Sequence, residues 1–245
     1  RRDLIERFEQ DGKLEEAFRP GNLVSNGAYA LGEWKFHYEI IMPKSPTYWR
    51  AAEVRIDRVV WMMIEDARST LNLYKAGDLD YNGDNSSIAP HALPVVSKKK
   101  DFLRAFQLNT YWYELNVKKP PTDDVRVRRA LNMAIDKAEL VARITKGGQI
   151  PASHYVPDYT GSGYAEVVAA DRAAGTDPFA APGKDYNPEG ARALLRGAGY
   201  EIVQEGADYK VKSFPALEVL YNTSEGHRAI AVAVQDFWRK NLGIS

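Results

Sequence analysis

One stretch of the chain joins a strand pattern directly to a helix start and carries side chains that could hold a ligand. It is Tyr221-Asn222-Thr223-Ser224-Glu225-Gly226-His227. Free N–H groups and the positive end of the helix dipole meet ligands at such junctions, and His227 in the first turn could donate to a carboxylate. The same residues also fit a capping box, with Asn222 as the cap and Glu225 reaching back. Because a cap can border a pocket, both interpretations stand.

A second stretch is unusually aromatic and reads Asn109-Thr110-Tyr111-Trp112-Tyr113-Glu114. The alternation of a strand would place Thr110, Trp112 and Glu114 on one face and the two tyrosines on the other. Aromatic rings beside a carboxylate can line a pocket for a polar, partly apolar ligand. An aromatic strand packed on the core, with Glu114 at its solvated end, is the equal alternative.

The sequence lacks the patterns of catalytic and metal sites. Cysteine is absent, which excludes disulfides and thiolate chemistry, and the four histidines include no pair at the spacing used by metal-binding helices. No glycine-rich phosphate loop or G-x-S-x-G nucleophile motif occurs. Asp123 and Asp124 could suggest acid–base chemistry, but they stand at the start of the predicted helix 124–135, where acids are favoured and Thr122 or Asp123 would be the cap. We therefore predict a protein that is not an enzyme and that uses no cofactor or metal.

Composition limits the classes of partner. The chain has 245 residues, with 33 Lys and Arg against 33 Asp and Glu, so its formal net charge is zero. This balance argues against a nucleic-acid partner. The longest apolar runs, 59–64 and 229–234, are far shorter than the roughly 20 residues of a membrane helix. No signal peptide precedes the first predicted helix, so we expect the sequence to be an internal piece of a longer protein.

The predicted elements that position these stretches alternate between strands and helices, which is typical of an α/β protein with two lobes. A period of two predicts a hairpin of 28–34 with 35–42 and a strand over 54–64. Further strands are predicted at 79–81 and 217–221, with a long extended segment at 103–117 and a loop at 148–186. Helices are predicted by their caps and apolar faces, at 66–77, 124–135, 136–147, 187–199 and 222–243.

Six segments carry a resemblance to a known family. They are Asn26-Gly27-Ala28-Tyr29 with Trp34, Ser45-Pro46-Thr47-Tyr48-Trp49, Leu73-Tyr74-Lys75-Ala76-Gly77-Asp78-Leu79-Asp80, Asp124-Val125-Arg126-Val127-Arg128-Arg129-Ala130-Leu131-Asn132-Met133-Ala134-Ile135-Asp136-Lys137, Tyr221-Asn222-Thr223-Ser224 and Trp238-Arg239-Lys240-Asn241-Leu242-Gly243. In this order they resemble the oligopeptide-binding proteins of bacterial ABC importers, which are extracellular solute-binding proteins of family 5. Ser45 stands where the family usually has asparagine.

The resemblance implies a fragment of a type II periplasmic-binding-protein fold. In that α/β fold two lobes, built from mixed β-sheets flanked by helices, close around the ligand. Residues 1–108 would form part of the first, hinge-proximal lobe, and residues 109–245 would form most of the second, ligand-binding lobe. Because full-length members are considerably longer, N- and C-terminal portions would be missing.

The resemblance also implies ligand contacts. Asn85, Asn222 and His227 would touch the peptide, and Trp112 and Glu114 would line its side-chain pockets. Backbone hydrogen bonds to an extended peptide allow such proteins to accept many side chains.

The resemblance also indicates which residues would hold the two ends of the peptide. A lysine that meets the peptide C-terminus in some members falls at Thr145, and we expect the adjacent Lys146 to make a ligand contact instead. The aspartate that holds the peptide amino group would lie beyond Ser245, so an isolated fragment should bind poorly.

The function implied by the family is that of a monomeric periplasmic or extracytoplasmic receptor. It would capture oligopeptides and deliver them to the permease subunits of an ABC transporter. It would be membrane-associated only through that permease or a lipid anchor. A different cargo, such as a dipeptide, a cell-wall peptide, an opine or a metal complex, is the alternative. A hydrolase or interaction module of the same fold would need features, such as a nucleophile–base pair, that the sequence does not show.

Overall fold

The computed structural model describes residues 2–83, 88–105, 107–152, 155–157, 163–175 and 186–244. The chain divides into two compact units, Arg1–Asn82 and Gly83–Ser245. The assignment of residues 1–108 and 109–245 to two lobes of a larger protein stays a prediction. None of the described helices combines the length and hydropathy that a membrane crossing requires.

The first unit contains an antiparallel sheet of three strands. Its strands are β1 (Glu33–Lys35), β2 (Glu39–Pro43) and β3 (Arg58–Met62), in the order β1-β2-β3. Trp34 pairs with Ile40, and Ile40 pairs with Trp61. The same unit contains α1 (Arg2–Gln10), two 3-10 helices (Leu14–Phe18 and Ala51–Glu53) and α2 (Ala67–Ala76).

The hairpin turn lies later than the sequence predicts. The expected break between residues 34 and 35 falls inside the strand pairing, and the chain turns at 36–38, where His37 has a φ of 59°. Pairing also extends back beyond β1, since the N–H groups of Ala30 and Gly32 donate to Pro43 and Ile41. Gly32 has to be glycine because a Cβ there would lie 2.6 Å from the Pro43 ring.

The second unit holds the remaining described helices and one small hairpin. Its helices are α3 (Leu93–Val96), α4 (Val125–Met133), α5 (Lys137–Glu139), a π-helix (Leu140–Thr145), α6 (Tyr164–Ala174), α7 (Pro188–Gly197) and α8 (Glu225–Leu242). Strands β4 (Ile202–Glu205) and β5 (Asp208–Val211) pair antiparallel. Helix α6 lies within the stretch 148–186, which the sequence predicts to be a loop.

The core of the second unit lies between α4, α7 and α8. The largest fully buried side chains are Val127, Leu131, Leu195 and Leu242. The indole N–H of the buried Trp238 donates to the Leu131 carbonyl oxygen at 2.9 Å. This bond ties α8 to α4, and therefore fixes where the first turn of α8 projects.

Helix starts confirm the capping predictions at Asp66 and Asn187. The cap of α4 is Asp124, whereas the sequence pattern predicts Thr122 or Asp123. The side chains of Asp66, Asp124 and Asn187 each accept a backbone N–H from the first turn of the helix that follows. Hydrogen bonds from Arg126 lower the pKa of the Asp124 carboxyl, as expected for a cap paired with a guanidinium. The structure assigns these residues to helix starts, where their side chains are used as caps.

The predicted strands at 79–81 and 217–221, like the extended segment 103–117, form no strand pairing with any residue that the structure describes. A strand is stabilised by hydrogen bonds to a neighbour, so an apolar pattern by itself does not produce one. The two segments that carry the candidate site, 103–117 and 217–221, are therefore positioned by side-chain packing. Tyr113, Leu217 and Val219 pack against the core that α4, α7 and α8 build.

Candidate functional site

The two stretches singled out in the sequence meet in space. The ring of Tyr111 lies 4.9 Å from the imidazole of His227, measured between ring centroids. Sequence reasoning placed Tyr111 on the face away from the site, so this contact was missed. The period-of-two pattern could not have found it, because the contact depends on how α8 docks on the unit.

His227 is oriented by Asn222. The Asn222 Oδ1 atom lies 2.7 Å from His227 Nδ1 and also accepts the Ser224 backbone N–H at 3.1 Å. Since a backbone N–H can only donate, the oxygen of the Asn222 amide must face it, and Nδ1 of His227 must carry a proton to bond to the same oxygen. The Nε2 atom then presents a lone pair in the neutral ring and a second N–H in the protonated ring.

The helix cap differs from the prediction in detail. Ser224, not Asn222, occupies the N-cap position of α8, and its own side chain makes no capping bond. Asn222 accepts the Ser224 N–H from two residues earlier, as in an Asx-turn. The capping box is therefore wrong, while the alternative, in which this junction presents polar side chains, agrees with the exposure of Asn222 and the partial exposure of His227.

Trp112 points to a different neighbour. Its ring lies 4.7 Å from that of Tyr155 between centroids, and the two side chains are 48% and 61% exposed. Together they form an open aromatic surface of the kind that packs against apolar side chains of a ligand. Tyr155 was missed by sequence reasoning, because it lies in the stretch predicted as a loop without further signal.

The neighbouring side chains of this segment divide between surface and interior. Tyr113 packs on the core, and its hydroxyl is buried without a hydrogen-bond partner in the described part of the chain. Burial, reinforced by the nearby phenol of Tyr111, raises the pKa of Tyr113 above its usual range. Glu114 is exposed, and no described residue forms a hydrogen bond or ion pair with it. Its carboxylate is therefore available to a ligand.

Lys146 lies at a second place on the unit. It is exposed and ends the π-helix in a left-handed conformation with a φ of 53°. It lines an open depression of about 440 Å³ together with Pro94, Val141, Ala142 and Gly148. The structure shows no contact between Lys146 and the Asn222–His227 pair. Asn85, the remaining predicted contact, lies outside the described residues.

The candidate residues offer several kinds of ligand contact. Around Asn222 and His227 and along the aromatic segment lie aromatic faces, an imidazole, an amide and a carboxylate, and Lys146 adds an ammonium group at the second place. Within the described ranges no three His, Asp or Glu side chains lie close enough to hold one metal ion. This arrangement can stack on apolar groups and exchange hydrogen bonds with polar ones.

Comparison with known proteins finds relatives of the chain. The chain is 34% identical over 234 residues to the periplasmic oligopeptide-binding protein OppA of Escherichia coli (strain K12). It is 33% identical over 236 residues to the periplasmic murein peptide-binding protein MppA of the same strain. Each match covers 94% of this chain and 39% of the relative. The chain thus spans about two fifths of the length of these relatives.

Solved structures of oligopeptide-binding proteins share the fold of this chain. A crystal structure of a periplasmic oligopeptide-binding protein from Borrelia burgdorferi superposes with a TM-score of 0.78 at 26% identity, over 99% of this chain and 43% of that one. The prediction of part of a type II periplasmic-binding-protein fold is therefore confirmed. The model described as "Bacterial extracellular solute-binding proteins, family 5 Middle" matches residues 4–245, and the chain belongs to this family.

Proposed function

We propose that the protein to which this chain belongs is an extracytoplasmic receptor that captures oligopeptides and delivers them to an ABC transporter permease. The observation that carries the proposal is the contact between Tyr111 and His227, which joins an aromatic segment to a polar helix start on the surface of a family 5 chain. Relatives named for binding oligopeptides support the same cargo.

Peptide recognition would divide among the described residues by their chemistry. His227, oriented by Asn222, would hydrogen-bond a polar group of the peptide, and Trp112 with Tyr155 would cover an apolar side chain. Glu114 would attract a basic one. The contact of Asn85 with the peptide and the closing of two lobes around it are part of the same proposal.

We further propose that the protein is not an enzyme. Support comes from the relatives, which are named as binding proteins, and from a site whose aromatic and hydrogen-bonding groups suit reversible binding. Its partners would be the peptide and the permease, and it would act as a monomer in the periplasm or an equivalent extracytoplasmic space. Membrane association would come through the permease or a lipid anchor.

The proposal is tested by native mass spectrometry of the full-length protein purified from its own cells. A heterogeneous set of co-purified peptides, released by denaturation and sequenced by fragmentation, is the expected result. A single small molecule that is not a peptide would contradict the oligopeptide cargo. Detection of the protein in the cytoplasmic fraction would contradict the proposed location.

A second cargo is favoured by the relationship to MppA, which is named as a murein peptide-binding protein. Cell-wall peptides differ from protein-derived peptides because they contain D-amino acids. Acid hydrolysis of the co-purified material followed by chiral chromatography separates the two cargoes. D-residues in the hydrolysate well above the small amount that hydrolysis produces by racemisation would replace the oligopeptide proposal with this one.

A further inference from the structure

The first unit has an open depression of about 400 Å³ whose lining is largely aromatic. It is lined by three rings and two charged side chains, which are Phe18, Trp34, Phe36, Glu15 and Arg19. All five belong to the unit Arg1–Asn82, whereas the predicted ligand contacts belong to the unit Gly83–Ser245. Small-molecule sites have volumes of roughly 300–1,000 Å³, so this aromatic depression is large enough for one small ligand.

Two of the rings are set close together by the first hairpin. The centroids of Trp34 and Phe36 lie 6.1 Å apart, and the ring planes are inclined at 50°. Trp34 is held by its pairing with Ile40 in the sheet. The Phe36 ring is held by an edge-to-face contact with His37, at 4.1 Å between centroids. A small cation can therefore lie within roughly 6 Å of both centroids, which is the range of a cation–π contact.

The three rings are open to solvent. The exposed fraction is 71% for Phe36, 50% for Phe18 and 39% for Trp34. Among the described residues, no cationic side chain lies over any of these rings. Lys35, between two of them in sequence, lies instead 2.6 Å from the Glu39 carboxylate. Exposed apolar surface of this kind marks interaction sites, and the ring faces are available to a cation of a ligand.

The aromatic depression also has one carboxylate and one guanidinium in its lining. No hydrogen bond or ion pair joins the side chain of Glu15 or Arg19 to a residue that the structure describes. Arg2 and Glu6, which are also four residues apart, do form an ion pair at 2.6 Å. Glu15 can therefore attract a cation, and Arg19 can donate two parallel N–H groups to a carboxylate or phosphate. A ligand that carries both charges satisfies both residues, whereas a simple cation is repelled by Arg19.

We propose that the aromatic depression binds a zwitterion with a quaternary ammonium group. The ammonium group contacts Trp34 and Phe36 beside Glu15. The anionic group is bound by Arg19. A quaternary ammonium ion has no N–H to donate, so ring faces and one carboxylate suffice for it, while a primary ammonium group needs up to three acceptors. The inference goes beyond the proposed function and does not depend on it.

Isothermal titration calorimetry with the protein at its natural length tests this proposal. The probes are phosphocholine, choline and neohexanol, in which carbon replaces the quaternary nitrogen of choline. The variants are Phe36→Leu, which keeps an apolar side chain but removes the ring, and the charge-neutralising Glu15→Gln and Arg19→Gln. Tyr38→Leu is the matched control, because this ring is 63% exposed on the same hairpin and does not line the depression.

Phosphocholine should bind, and neohexanol should bind about five-fold more weakly than choline or worse, because it offers no charge to the rings. Phe36→Leu and Glu15→Gln should each weaken the binding of choline and phosphocholine by about two- to ten-fold. Arg19→Gln should weaken the binding of phosphocholine without weakening that of choline. Tyr38→Leu should change neither affinity.

Free phosphocholine and the head group of phosphatidylcholine share this chemistry, and sedimentation with phosphatidylcholine vesicles separates the two sources. Co-sedimentation that Phe36→Leu reduces and Tyr38→Leu preserves identifies the lipid head group. Binding of phosphocholine without co-sedimentation identifies a soluble zwitterion, and both results support the inference. Equal affinities for choline and neohexanol, no binding of phosphocholine, or a phosphocholine affinity that stays unchanged in all three variants overturns it.

Discussion

The Oδ1 atom of Asn222 lies 2.7 Å from Nδ1 of His227, so Nε2 is the ring nitrogen that is left for a ligand. Asn222 lies in the segment before α8, and His227 lies in the first turn of that helix. The geometry of this contact depends on the backbone N–H of Ser224, which holds the same oxygen. The orientation of His227 is thus built from local chain geometry and does not need a ligand to form.

Removal of this support should weaken peptide binding. In Asn222→Ala the imidazole loses the acceptor that orients it, and we expect the affinity for a bound peptide to fall by roughly two- to ten-fold, the range for one hydrogen bond. Isothermal titration calorimetry measures the change. Thr223→Ala is the control, because Thr223 is an exposed neighbour with no described side-chain contact. Equal effects of the two substitutions would contradict the role assigned to Asn222.

Trp112 should contribute to binding without being needed for folding. Its ring is 48% exposed and touches Tyr155, so Trp112→Ala removes ligand surface but no buried core. We expect a loss of peptide affinity of about ten-fold, in keeping with about 1–3 kcal/mol for an aromatic contact that a ligand covers. The thermal midpoint should change little. Trp49→Ala, which removes a tryptophan that is 79% exposed on the other unit, is the control and should leave affinity unchanged.

Local signals explain what could be predicted from the sequence. The caps Asp66 and Asn187 could be predicted because a short polar side chain just before an apolar helical pattern can accept a backbone N–H of the first turn, and both do so. The cap of α4 was predicted at Thr122 or Asp123, and the structure places it at Asp124. The hairpin turn was placed too early because its left-handed residue is His37, whereas turn predictions depend on glycine and asparagine.

The sequence predicted several residues of the site but not the contacts that they make. Trp112, Glu114, Asn222 and His227 lie in segments whose composition and resemblance drew attention to them. Their partners did not follow from the sequence. The contact of Tyr111 with His227 depends on the docking of α8, which the bond from Trp238 to the Leu131 carbonyl fixes from the opposite end of the helix. Contacts between residues so distant along the chain leave no period or spacing to read.

Tyr113 should limit stability at alkaline pH. Its buried hydroxyl lacks a hydrogen-bond partner among the described residues, and burial raises its pKa above the ordinary value of about 10. Below pH 10 the phenol is neutral in both the folded and the unfolded chain, so stability is unaffected. Above pH 10 the phenol ionises readily only in the unfolded chain, and the free energy of unfolding therefore falls as the pH rises. Urea unfolding between pH 8 and 11 should show this decline.

In Tyr113→Phe the buried hydroxyl is removed while the ring that packs on the core remains. We expect the free energy of unfolding at pH 8 to be unchanged or higher by up to about 1 kcal/mol, since no hydrogen bond is lost and a desolvated polar group is removed. The decline above pH 10 should become shallower. Tyr38→Phe, at a tyrosine that is 63% exposed in the other unit, is the control and should leave the decline in place. A destabilisation of Tyr113→Phe by more than about 1 kcal/mol would mean that this hydroxyl has a hydrogen-bond partner in solution.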